Sequence, residues 1–158
     1  MPVISQSVAI HTSPKRVFAA LVADPARIAH WLKPLTQHEI LQREPRFVGT
    51  RVRYAYMLQG MRVKGEYTVV DFVPSQYLFL RTLSGMNAAL EIVLQPNRGS
   101  TTVELALNYA LPGALFGSTM HRPALEGQIE QDFSTMLHHL KSILEQEGTP
   151  HQKNSPRT

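Results

Sequence analysis

Between Leu35 and Ala110 the sequence repeats one pattern: apolar and polar residues alternate for about the length of a strand, then a turn-forming cluster interrupts them. Segments near 36–43, 50–59, 62–73, 77–83, 87–95 and 101–110 carry the alternation, and "FVGT", "LQGMR", "VPSQ", "LSGMN" and "QPNRGS" fall between them. Gly, Pro, Asn and Ser supply the backbone conformations of a reversal, and gaps this short leave no room for a crossover helix. The region therefore predicts a meandering antiparallel sheet. Val52, Tyr54, Tyr56 and Leu58 alternate with Arg51, Arg53 and Gln59, and Leu90, Ile92 and Leu94 with Glu91 and Gln95, so one face is apolar and the other wet. Something must cover the apolar face.

The cover follows at the end of the chain. In "RPALEGQIEQDFSTMLHHLKSILEQEG" the residues Leu125, Ile129, Phe133, Met136, Leu137, Leu140, Ile143 and Leu144 recur at the three-and-four spacing of a single helical stripe. Lys141 and Glu145 add a surface pair one turn apart, and Gly148 with Pro150 marks the stop. At the other end, Ile4, Val8 and Ile10 alternate with Ser5 and Ser7, predicting a first strand over residues 3–10. A helix opens at Ser13-Pro14, since Ser caps orphan amides and Pro has no amide hydrogen to strand. Its apolar face is Val17, Phe18, Leu21 and Val22. Asp24-Pro25 breaks it, and "PARIAHWL" restarts as a second short helix at another angle. Residues 1–147 form one domain on this reading, and residues 148–158, "GTPHQKNSPRT", a flexible polar tail.

At 158 residues the chain is long enough for one substantial core. It has no Cys, so disulfides, Cys-based zinc sites and thiol nucleophiles drop out. With no secretory leader and no apolar run of membrane-spanning length, a cytoplasmic protein is expected. The net charge is +4 and the isoelectric point near 9.6. Lys153 and Arg157 lie in the tail, however, and without them 14 bases face 12 acids. One local bias remains: Arg43, Arg46, Arg51, Arg53, Arg62 and Lys64 have only Glu44 among them in residues 43–64. A solvated strand face accounts for it better than nucleic-acid binding, which brings denser aromatic interleaving.

The order of strand, two short helices, six antiparallel strands and a long C-terminal helix carries "SPKRVFAALVADPARIAHWL", "FVGTRVRY", "VVDFVPSQYLFLR", "LQPNRGSTTVELALNY" and "FSTMLHHLKSILE" in sequence. It resembles the START-like superfamily, in the branch of polyketide cyclases, coenzyme Q-binding proteins and carbon monoxide dehydrogenase G-type proteins, over residues 3–147. The resemblance implies an α+β helix-grip fold: a curved seven-stranded antiparallel sheet wrapped around the C-terminal helix, with the two short helices closing one end of a cavity. It also implies a hydrophobic or amphipathic ligand such as a lipid, quinone or polyketide. It carries over no catalytic residues, because the superfamily shares none.

Strand parity and helix face then select the residues expected at such a cavity. Tyr54, Tyr56 and Tyr67 fall on inward strand positions, together with Leu90 and Ile92. On the next strand the inward set is either Tyr77, Phe79 and Arg81 or its complement Leu78 and Leu80. Ile129, Phe133 and Met136 face them from the helix, and Trp31 is expected as a wedge at the closed end. Aromatic and Met side chains make a shape-tolerant apolar wall. Arg81, if buried, would need an anionic partner, and Glu126, on the helix stripe, would be an acid or base if desolvated. One of the two is expected to mark the polar end. Phe116 and Met120, in the Gly- and Pro-rich segment 110–127, are expected to form a lip that admits a greasy ligand or touches a membrane surface.

No metal or other cofactor is indicated. His138 and His139 are adjacent, about 100° apart on a helix, and His11 and His38 have no carboxylate at ligand spacing. Three functions stay open. The first is a binding protein for a small hydrophobic ligand. The second is a polyketide cyclase or dehydratase-type enzyme using Tyr, Arg81 or Glu126. The third is a ribosome- or polyanion-binding protein using the Arg43–Lys64 face, which salt would weaken steeply.

Overall fold

A computed structural model describes residues 3–22, 31–110 and 122–148. Seven strands and two helices make up these residues: β1 (Val3–Ile10), α1 (Pro14–Val22), β2 (Leu35–Gln42), β3 (Arg51–Leu58), β4 (Met61–Val73), β5 (Tyr77–Thr82), β6 (Asn87–Asn97), β7 (Ser100–Ala110) and α2 (Arg122–Gly148). The strands form one sheet in the order β1-β7-β6-β5-β4-β3-β2, with every neighbouring pair antiparallel. Only β1 leaves the meander, crossing to pair with β7. Residues 23–30, with most of the expected second short helix, the 111–121 part of the lip and the tail beyond Gly148 lie outside the described residues. Gly148 is the last residue of α2 rather than a stop beyond it.

Local chemistry explains the joints. Ser13 caps α1, accepting the Arg16 amide on Oγ at 3.3 Å and the Val17 amide on its carbonyl at 3.1 Å. Gln59 and Gly60 both take positive φ, 48° and 84°, as a two-residue hairpin requires to follow the sheet's twist. The β6–β7 turn is also tighter than "QPNRGS" suggests: Asn97 pairs with Ser100, and Pro96 stays within the ladder opposite Thr101. Register shifts between Leu35 and Gln37, Ile40 and Gln42, and Val69 and Asp71 interrupt the alternation and bend the sheet.

The concave face is filled from the helix. Leu125, Ile129, Phe133, Met136, Leu137, Leu140 and Leu144 are all buried, each contributing about 1.5–3 kcal/mol by leaving water. Polar contacts fix the axial position of α2. Near its start, Gln128 accepts the Gln59 amide at 2.9 Å and donates to the Met57 carbonyl at 2.9 Å, holding the β3–β4 turn. In the middle, Gln6 of β1 donates to the Glu130 carbonyl at 2.8 Å. Among the described residues no helix is long and apolar enough to cross a membrane.

The far end of α2 is clamped to the end of β1. Lys141 donates to Glu145 and to the Ala9 carbonyl, both at 2.7 Å, while Glu145 also accepts the His11 backbone amide at 3.0 Å and stands 2.9 Å from its Nδ1. The pair expected as a surface ornament is thus a joint between elements, and His11 does have a carboxylate, 134 residues away in the chain. The Lys141 hydrogen bond, then the His11 amide, lower the Glu145 pKa from 4.5 to about 2. A depressed carboxylate stabilises the fold above its unfolded pKa and loses that contribution as pH falls through the folded value. Urea melts should therefore show wild type more stable than Glu145→Gln above pH 5, with the gap closing between pH 4.5 and 2. A gap independent of pH would remove the ion from this account.

Candidate functional site

Seven strands around one helix leave space that the helix does not fill. A cavity of about 190 Å³ lies between the sheet, α1 and α2, with an overwhelmingly apolar wall. Its sides come from nearly every element: Leu21 and Val22 of α1, Leu78 and Leu80 of β5, Leu90 and Ile92 of β6, and Ile129, Phe133 and Met136 of α2. Phe47, at φ 72°, also borders it, a backbone conformation rare for an aromatic residue. Its ring meets Phe72 edge-on at 4.8 Å, and Phe72 in turn lies 5.3 Å from Phe18.

The three tyrosines selected by parity all line the cavity, but their hydroxyls have different employment. Tyr54 sits opposite His38 on β2 and Gly65 on β4. Gly65 offers no side chain, so the β5–β6 turn crosses directly over it, and the Tyr54 hydroxyl ties that turn down. It donates to the Ser84 carbonyl at 3.0 Å and accepts the Met86 amide at 3.0 Å. Tyr56 donates to Asp132 of α2 at 2.7 Å, and Gln128 donates to the same oxygen at 2.9 Å. Burial first, and then the Asp132 carboxylate, push the Tyr56 hydroxyl's pKa far up. Tyr67 meets His38: its hydroxyl oxygen lies 2.5 Å from Nε2, and the rings are 5.6 Å apart. Burial raises its pKa also, so it stays a neutral phenol.

Several expected positions differ. On β5 the inward set is Leu78 and Leu80, while Phe79 is absent from the cavity wall. Arg81 borders the cavity, but its side chain is exposed, with its guanidinium carbon 5.5 Å from the centroid of the Phe79 ring. The buried guanidinium expected from sequence is therefore not found. Glu126 does not line the cavity; its side chain is 34% exposed and pairs with Arg122 at 3.6 Å. Trp31 is 1% exposed and belongs to the core, apart from the cavity wall. Phe116 and Met120 lie outside the described residues. Glu126 supplies no polar end and the buried cation expected at Arg81 is absent; the polar groups the sequence reading passed over are His38, which borders the cavity beside Tyr67, and Asp132, which holds the Tyr56 hydroxyl.

Two acids from outside residues 43–64 also answer the basic strand face. Arg51 bonds Glu66 at 3.0 Å and Arg53 stands 3.6 Å from Glu39. Among the described residues no three His, Cys, Asp or Glu side chains gather as a metal site would need.

This architecture recurs in solved structures. TTHA0849 from Thermus thermophilus is similar with a TM-score of 0.75 and 22% identity, over 89% of this chain and 95% of that one. A START superfamily protein from Mycobacterium smegmatis gives 0.66 at 17% identity, over 92% and 95%. Major latex-like protein 151 from Panax ginseng gives 0.67 at 9% identity, over 89% and 95%. At these identities the likeness is one of fold. No curated protein matches the sequence. The family model described as "Polyketide cyclase / dehydrase and lipid transport" matches residues 1–145, nearly the whole folded part, and the chain belongs to that family.

Proposed function

We propose that the protein binds a small hydrophobic molecule in the cavity between the sheet and α2. The observation that carries this reading is the cavity itself: about 190 Å³ with an almost wholly apolar wall, left open where aromatic and Met side chains could have filled it. Apolar space of this kind is the usual form of a small-molecule site. The family description, which joins cyclase or dehydrase chemistry to lipid transport, supports the same reading. Native mass spectrometry of protein purified from its host tests it. A retained small molecule is expected, and Leu90→Trp, which pushes an indole into the cavity, should release it. An empty protein that binds no apolar probe, with wild type and Leu90→Trp alike, would count against the proposal.

A second reading, a cyclase or dehydratase, is favoured by one observation. Tyr67 and His38 together border the cavity and share a hydrogen bond, so a proton can pass between a ligand and the imidazole. Arg81 and Glu126 are poorer candidates for that chemistry, because Arg81 is exposed at the cavity's border and Glu126 does not line it.

A further inference from the structure

Resting on the cavity-binding reading, we infer that the cavity selects a compact, uncharged ring compound bearing one hydroxyl or carbonyl, and that Tyr67 together with His38 recognises that group. Size sets the first limit. A dry cavity of about 150 Å³ lined by Leu, Ile and Phe is enough for benzene, and drug-sized ligands need pockets of roughly 300–1,000 Å³. At about 190 Å³, one or two fused rings fill the space, whereas an extended lipid chain would have to leave most of its length outside it.

Charge sets the second limit. Among the described residues no Asp, Glu or Lys lines the cavity, and Arg81, which borders it, is exposed with its guanidinium carbon 5.5 Å from the Phe79 ring centroid. A carboxylate entering would lose its hydration with no buried countercharge to replace it.

Hydrogen-bond capacity identifies the reader. A phenol has one donor and two acceptor sites. Tyr54 already uses its donor and an acceptor on the β5–β6 turn, and Tyr56 spends its donor on Asp132. Thr50 accepts the Glu44 amide, and Thr82 both donates to and accepts from Ala88. Tyr67 has a partner that can act either way. When it donates to Nε2, its oxygen accepts from a ligand hydroxyl; when Nε2 carries the proton and donates, the phenol hydrogen is free for a ligand carbonyl. The dyad adapts to either group without an ion being buried.

Three probes of similar shape test this: 2-naphthol, 2-methylnaphthalene and 2-naphthoate, titrated against wild type and Tyr67→Phe. Wild type should bind 2-naphthol roughly five- to tenfold more tightly than 2-methylnaphthalene, the worth of one net hydrogen bond, and 2-naphthoate more weakly than both. Tyr67→Phe should erase the naphthol preference and leave 2-methylnaphthalene unchanged. If the variant does not fold, wild type labelled at the tyrosine Cζ carbons answers instead: 2-naphthol should shift the Tyr67 resonance where 2-methylnaphthalene does not, with Tyr54 and Tyr56 unmoved. Equal affinity for the two neutral probes, a preference that survives Tyr67→Phe, or tighter naphthoate binding lost in Arg81→Gln would each overturn the inference. If naphthalenes bind but without discrimination, the cavity reading stands alone; if none binds, both fall.

Discussion

Gly65→Ala is expected to lose about 3 kcal/mol of stability, at the upper end for overpacking one methyl group, and to melt roughly 6–12 °C lower for a domain of this size. A β-carbon on Gly65 would stand 2.1 Å from the Ser84 carbonyl oxygen, 2.6 Å from its carbonyl carbon and 2.9 Å from the Gly85 α-carbon. All three are main-chain atoms, so no rotamer change relieves the clash. The turn must lift, and lifting breaks both Tyr54 hydrogen bonds and the 3.1 Å bond from the Glu66 amide to Ser84 Oγ. Tyr54→Phe separates the two costs, because it removes the tether and keeps the ring; it should lose only about 1–2 kcal/mol. Calorimetry showing Gly65→Ala as stable as wild type would mean that the turn does not cross β4 there.

Trp31→Ala should cost more, about 3–5 kcal/mol, the range for deleting a large buried aromatic. Its side chain is 1% exposed and sits within the core cluster with Leu32 and Leu35. Chemical denaturation followed by circular dichroism gives the number, since the variant has no Trp left to fluoresce. Trp31→Phe then distinguishes wedge from ligand contact. It should be destabilised by less, yet bind a naphthalene probe as wild type does, because Trp31 is not part of the cavity wall. A tenfold loss of affinity in Trp31→Phe would return this residue to the site.

The fold was legible because each of its devices leaves a local trace: alternation for strands, Gly and Asn for reversals, a single stripe for α2. The cavity wall was most legible on the single stripe of α2 and where alternation runs unbroken. Along β3 the apolar set does, and Tyr54 and Tyr56 were placed inward from parity alone. In β5 both alternating sets contain apolar residues, so parity had two solutions, and the register, which sets Leu80 opposite Val69 and Leu78 opposite Phe72, picks one. His38 stayed hidden for a different reason. β2 carries two register shifts within eight residues, which erase its alternation, and the partner of the imidazole is a phenol 29 residues away rather than a carboxylate nearby. Glu126 failed through helix geometry: Leu125 and Ile129 occupy the buried line, and a residue one position off it reaches the rim.

β3 carries two properties on one thread. Arg51 and Arg53 face outward, where they meet Glu66 and Glu39; the even-numbered positions between and beyond them furnish Val52, Tyr54 and Tyr56 to the cavity. A slip of one residue would exchange the two sets, since side chains alternate with a period of two. Guanidinium groups would enter the cavity and phenol rings would coat the exterior. The cavity wall and the charged exterior are therefore inherited together in this strand: a deletion there disturbs both at once, while a substitution that respects the alternation can alter one and spare the other.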